Sequence, residues 1–321
     1  MSMSIATADE FLTQYRAISA KLKKRFMRKP NVSEAVEQFN ALANDMKLQN
    51  SYPYAALCYL AIARCESMAN CFTAEAEALV QAARNYFEAE MENARKQSPT
   101  FYENCAMATN CYNTAIKIYC KNDQIALAAF LCLELGKGLQ KLNKSVEAIG
   151  HYQRAVELQH QNPLDVLTSM DYIASCHIET GDFDNALTVL TEMSYLAKER
   201  GGIKRGTVSQ IPGAYKDILA RCEVSRVLIL LLLQPTPQRI RPEHANVLER
   251  YSWESSDESL QVPYLKEDLF LLLQSLVMAY QANDILAVRE LQKDLSALLT
   301  DEQTHLLHLI IMEISNSKYD I

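Results

Sequence analysis

Two stretches of the chain repeat one spacing of small and large apolar residues. That repetition constrains the fold more than any other feature. Leu135, Gly136, Leu139, Ala148, Tyr152 and Ala155 form the first set. Ile173, Ala174, His177, Ala186, Leu190 and Met193 form the second. In both, small residues sit where two helices must cross closely, and larger residues fill the gaps between them. Such a pattern specifies a helical hairpin, and its recurrence specifies a stack of hairpins.

The spacing is that of the tetratricopeptide repeat. Ala148 and Ala186 are 38 residues apart, somewhat more than the usual period of about 34. Thr180-Gly-Asp-Phe-Asp-Asn-Ala186 has the turn chemistry of such a unit, with fainter echoes at Asn122-Asp-Gln-Ile-Ala126 and Asn283-Asp-Ile-Leu-Ala287. The first 120 residues match the template poorly but keep helical periodicity, as in Phe11, Tyr15, Ile18, Leu22 and Phe26. Helix starts are predicted at Thr7-Ala-Asp-Glu10 and Thr300-Asp-Glu-Gln303, both capping boxes. Asn31, Ser51-Tyr-Pro53, Ser98-Pro99 and Asn162-Pro163 predict others. Pro30 ends the first helix. The expected fold is all-α, a tetratricopeptide-like stack of antiparallel helical hairpins forming a superhelix over 1–321, with an unrelated helical bundle as the alternative because of the poor match in the first 120 residues. Two interruptions are expected, a flexible Gly-rich loop at 201–213 and an acidic, Ser-rich linker at 252–263.

Composition narrows the chemistry. Only 8 glycines are present, four of them within 201–213, so loops that cradle a nucleotide phosphate are not expected. No Walker loop, GxSxG or HExxH occurs. The nine cysteines include no CxxC pair and read as reduced core thiols. Neither a cleavable signal peptide nor a membrane span is visible. Val227–Leu233 is apolar but has seven residues where about 20 are needed, and it reads as a fully buried helix. Glu157/His160 and Glu302/His305 are two Glu-x-x-His pairs of the kind used in di-iron bundles. They lie far apart on helix ends, so metal, cofactor and catalytic residues are all predicted to be none.

Charge is uneven. Residues 16–29 hold seven bases and no acid, and residues 243–268 hold seven acids and two bases. The net charge of −7 argues against nucleic acid as a partner. The basic strip Lys23, Lys24, Arg25, Arg28 and Lys29 reads as a solvated face, an import tag, a foot on anionic lipid that would require the apolar stripe to leave the stack, or a docking edge for an acidic partner surface. Trp253 reads either as an anchor pinning a loop or as an interface hot spot. With Glu254, Asp257, Glu258, Glu267 and Asp268 it completes the candidate partner-binding residues.

Five stretches carry a resemblance: KLKKRFMRKPNVSEA (21–35), RCEVSRVLILLLLQP (221–235), YSWE (251–254), FLLLQSLVMA (270–279) and LLTDEQTHLLHL (298–309). Together they resemble the family of the 40-kDa huntingtin-associated protein, also described as the factor VIII intron-encoded protein. Family members carry a longer proline-rich insert where this chain has 201–213. The resemblance implies a non-enzymatic adaptor, bound one-to-one by huntingtin between the two HEAT-repeat arms of that partner. It also implies early-endosome motility through a Rab GTPase, and a cytoplasmic location with a nuclear pool. A vesicle-fusion adaptor like the soluble NSF attachment proteins is the rival reading. On the partner-bound reading, Leu228–Leu233 and the last helices are expected to lack full cover in the free chain.

Overall fold

The computed structural model describes residues 5–22, 31–201, 213–234, 240–252 and 262–317. Helices account for nearly all of them, and no strand occurs among the described residues. In order they are α1 (Ile5–Lys21), α2 (Val32–Leu48), α3 (Tyr52–Met68), α4 (Phe72–Arg95), α5 (Glu103–Lys121), α6 (Ile125–Lys141), α7 (Ser145–Leu158), α8 (Pro163–Glu179), α9 (Phe183–Arg200), α10 (Gly213–Leu233), α11 (Pro242–Glu249), α12 (Glu267–Gln281), α13 (Ile285–Ser296) and α14 (Asp301–Ser317). They fall into two compact units, Met1–Gln159 and His160–Ile321.

Six connections share one device. Between α2–α3, α3–α4, α5–α6, α6–α7, α8–α9 and α12–α13 the middle residue is left-handed: Asn50, Asn70, Asp123, Asn143, Gly181 and Asn283, with φ from 53° to 74°. The next amide then reaches back to the helix, as Ser51 N to Met46 O at 2.8 Å, Gln124 N to Tyr119 O at 2.9 Å and Asp182 N to His177 O at 2.9 Å. This is the Schellman closure, which satisfies the last carbonyls and reverses the chain within three residues. Asparagine and aspartate tolerate the left-handed region better than other side-chain-bearing residues, so the turns form in a chain with few glycines. Gly181→Ala should cost about 1 kcal/mol, read as a lower thermal midpoint; an unchanged midpoint would contradict the assigned turn.

In the N-terminal unit each helix from α1 to α6 packs on its successor, the pattern of a hairpin stack. Small residues permit the close approach: Ala55, Ala56, Ala63, Ala76, Ala82 and Ala83 are all buried on α3 and α4. The repeat spacing is realised on α6 and α7. Leu135, Leu139, Ala148, Tyr152 and Ala155 are buried, and a Cβ built on Gly136 would lie 2.5 Å from Cε1 of Tyr152. Of the counterparts on α8 and α9 in the C-terminal unit, Ile173, Ala174, Ala186, Leu190 and Met193 are buried as well. There His177 occupies the place of Leu139 and meets Asp182 through Nδ1 at 3.1 Å.

In the C-terminal unit α10 is the centre, packing on α9, α11, α12 and α14. Leu228, Ile229, Leu230 and Leu231 are buried, as are Leu306, Leu307 and Ile310 on α14. The expectation that these segments need a partner to cover them is corrected for Leu228–Leu231, which the chain covers itself, with Leu232 and Leu233 partly buried against the same core; on the last helices Leu271, Leu286 and Met312 stay exposed. No described helix is long and apolar enough to cross a membrane.

Helix starts divide. Asn31 caps α2 by accepting from Glu34 N at 3.3 Å, and Ser51 and Asn162 open α3 and α8 with proline in the first turn. The Thr300 box is complete: Thr300 N donates to Gln303 Oε1 at 3.1 Å and Gln303 N to Thr300 Oγ1 at 3.3 Å. Two starts are corrected. α1 already runs at Ile5, so Thr7 lies inside it. Ser98-Pro99 does not open α5, which begins at Glu103 after a left-handed Tyr102; Thr100 Oγ1 instead donates to Glu90 at 2.6 Å. Pro30, most of 201–213 and most of 252–263 lie outside the described residues.

Candidate partner-binding surfaces

Of the predicted contact residues, Lys23, Lys24, Arg25, Arg28, Lys29, Trp253, Glu254, Asp257 and Glu258 lie outside the described residues. Glu267 and Asp268 are exposed in the first turn of α12, where carboxylates complement the helix dipole. Lys21, at the edge of the basic strip, donates to Glu34 at 3.1 Å and Gln38 at 3.0 Å, joining α1 to α2.

A groove that sequence reasoning missed lies in the N-terminal unit. It is an open cavity of about 420 Å³ walled by α2, α3, α4, α5 and α6. Ile62, Ala78, Val80 and Leu131 are buried lining residues. Leu127 and Phe130 are half-exposed on α6, large apolar groups left at the surface. Arg84, at one side, is neutralised by Glu134, with Nε to Oε1 at 2.6 Å and Nη2 to Oε2 at 2.9 Å. The Tyr112 hydroxyl donates to Glu134 Oε1 at 2.8 Å, so one carboxylate ties α4, α5 and α6. Burial alone would raise the Glu134 carboxyl, but the bonds from Arg84 and Tyr112 hold it below its ordinary value. With Arg84 satisfied, Glu66 and Glu77 leave the groove acidic as well as apolar. One signal in the sequence pointed here: α6 reads IALAAFLCLELG, apolar on more faces than its two neighbours can cover.

Among the described residues no three His, Cys, Asp or Glu side chains come together to hold a metal ion. All nine thiols are free and seven are buried. Burial pushes Cys58, Cys176 and Cys222 up to about 12 and Cys111 and Cys132 up to about 11, so none of these five is a ready thiolate. Glu302, from the second Glu-x-x-His pair, is largely buried and its carboxyl is raised by burial. A carboxyl raised in the fold favours the native state at acid pH and disfavours it once ionised. Glu302→Gln should therefore raise the melting midpoint at pH 7 and lose that gain as pH falls below the ordinary glutamate range. A gain that is the same at pH 4 and pH 7 would refute the assignment.

Comparison with known proteins gives two results. The family model for the soluble NSF attachment proteins matches residues 16–197, more than half of the chain. The chain is also 41% identical over 357 aligned residues to the 40-kDa huntingtin-associated protein of Rattus norvegicus, covering 95% of this chain and 93% of that one. The chain belongs to the family of the 40-kDa huntingtin-associated protein. The Mus musculus member matches with the same identity and coverage. The aligned span of 357 exceeds the 321 residues of this chain, so the huntingtin-associated relatives carry residues it lacks. The attachment-protein model ends within α9, whereas likeness to the huntingtin-associated family continues through the C-terminal unit.

Proposed function

We propose that this chain is a non-enzymatic adaptor that binds huntingtin one-to-one. The observation that carries the reading is the 41% identity over 95% of the chain to proteins named for their association with huntingtin. An all-helical stack with an open apolar groove suits a protein whose task is surface contact. On this reading the acidic groove of the N-terminal unit takes a basic, apolar segment of the partner, and the strip Lys23–Lys29 meets an acidic one. A role in early-endosome movement through a Rab GTPase, in the cytoplasm and a nuclear pool, belongs to the same proposal.

Co-expression with huntingtin of the same organism, followed by size-exclusion chromatography and mass photometry, tests it. A one-to-one complex is expected. Reversing Lys24, Arg25 and Arg28 together should weaken assembly, more so at low salt. Separate elution of the two proteins would overturn the proposal. The match to the attachment-protein model over residues 16–197 keeps one rival, a vesicle-fusion adaptor, which retention on a SNARE bundle would favour instead.

A further inference from the structure

Phe101 is 95% exposed, the most exposed of the large apolar side chains among the described residues. It sits in the connection between α4 and α5, residues 96–102. A single apolar residue at a surface is ordinary. The backbone that carries this one is not. Gln97 and Tyr102 are both left-handed, at φ 52° and 57°. The six Schellman turns each use one such residue, always asparagine, aspartate or glycine. For a bulky tyrosine this region is an outlier, which persists only where the surroundings enforce it.

Those surroundings can be named. Thr100 Oγ1 donates to the buried Glu90 at 2.6 Å and accepts from Tyr102 N at 3.4 Å. Ser98 N closes the end of α4 on Asn93 O at 3.0 Å. Lys144, at the start of α7, lies 4.5 Å from the centre of the Tyr102 ring and is itself held by Glu147 at 2.9 Å. The residues on both sides of Phe101 are thus tied to α4 and α7, while its own ring stands in water. Nearly all of the apolar surface of that ring is still available for burial. Little ordering is left to lose on binding, because the loop is already fixed and phenylalanine has only two side-chain torsions.

We propose that Phe101 is an anchor for huntingtin, a rigid knob that inserts into an apolar pocket of that partner the size of one aromatic ring. This rests on the reading of the chain as a huntingtin adaptor. Charge and symmetry set aside the other occupants. Arg95 and Lys96 before the loop are paired with Glu88 and Glu92, and Lys144 beside it with Glu147. Glu103, which follows Tyr102, is exposed. The loop therefore offers no free positive charge to anionic lipid. Seating in the groove of a second copy would be a head-to-tail contact, which builds chains of copies and not a one-to-one complex. The knob is also separate from the groove. Arg84 at the side of the groove and Arg95 at the end of α4 are about 16 Å apart along the helix.

The test uses the full chain co-expressed with huntingtin of the same organism. After dilution, followed by mass photometry, the complex of Phe101→Ala should dissociate roughly tenfold faster than wild type or more. Phe101→Leu, which keeps an apolar group, should fall between the two. Free Phe101→Ala should melt within about 1 °C of wild type, because the ring it loses supports almost nothing in the fold. Equal dissociation of wild type and Phe101→Ala would overturn the knob and leave the huntingtin reading standing, whereas no complex with the wild-type chain would overturn both. A drop of several degrees in the free variant would make Phe101 a structural residue and overturn the proposal. So would self-association of the free chain, or its retention on phosphatidylcholine vesicles, that Phe101→Ala abolishes, since the knob would then belong to a second copy or to lipid.

Discussion

Glu223→Gln should lower the thermal midpoint of the protein by roughly 6–20 °C. Glu223 is 1% exposed and Arg226 4%, one helical turn apart on α10. Removing one partner of a buried ion pair leaves the other charge uncompensated, at a cost of about 3–5 kcal/mol. Here Arg226 and Lys198 lose the carboxylate that offsets them, and Arg250 loses its 2.9 Å bond to Oε1. In a unit of this size each kcal/mol moves the midpoint by about 2–4 °C. The amide keeps the size and one acceptor of the carboxylate, so the loss reports charge and not a cavity. The double change Glu223→Leu with Arg226→Met should recover much of it, because a buried pair can be exchanged for apolar groups at little cost. A Glu223→Gln protein melting within 2 °C of wild type would mean that water already screens the cluster.

That cluster also marks where sequence reading stopped short. Glu223 and Arg226 are three residues apart, the spacing of an ordinary surface pair. The pattern gave a warning nonetheless. Val224 and Val227 interleave with them, and the apolar run begins at once. A helix segment apolar on all sides is buried, so the charges set against that run, Glu223 and Arg226, are buried too. The hairpins were legible where a small residue faces a large one, as at Gly136 and Tyr152. They were illegible in the first 120 residues because Asn50 and Asn70 do there what Gly181 does later. An isolated asparagine carries no weight until its left-handed backbone is seen. Pro99 misled for a related reason: proline suits a first helical turn, but the loop continues to Tyr102, held by Thr100 on Glu90. The groove escaped because its residues come from five helices and no local window contains them. The basic strip and most of the acidic linker lie outside the described residues, so only their charge speaks for them.

Two glycine-to-alanine changes in the N-terminal unit should have opposite signs. Both positions are helical interiors, Gly136 in α6 and Gly150 in α7, and propensity alone would stabilise each by about 1 kcal/mol. At Gly150 a Cβ meets nothing within 4 Å, so the gain should appear in full. At Gly136 the Cβ would lie 2.5 Å from Cε1 and 2.7 Å from Cζ of Tyr152. The ring has no room to retreat: Tyr152 is fully buried, and its hydroxyl is held by Gln140 Oε1 at 3.1 Å. The two helices must separate instead, and overpacking of this kind costs about 1–3 kcal/mol. Gly136→Ala should therefore melt several degrees lower and Gly150→Ala slightly higher. If the contact with Tyr152 is the cause, Gly136→Ala combined with Tyr152→Leu should be less destabilising than the sum of the two, since the shorter side chain frees the space that the methyl group needs. Strict additivity would place the cost in the α6 backbone and not in the crossing. The repeat spacing would then describe helix propensity and no longer account for how closely α6 and α7 pack.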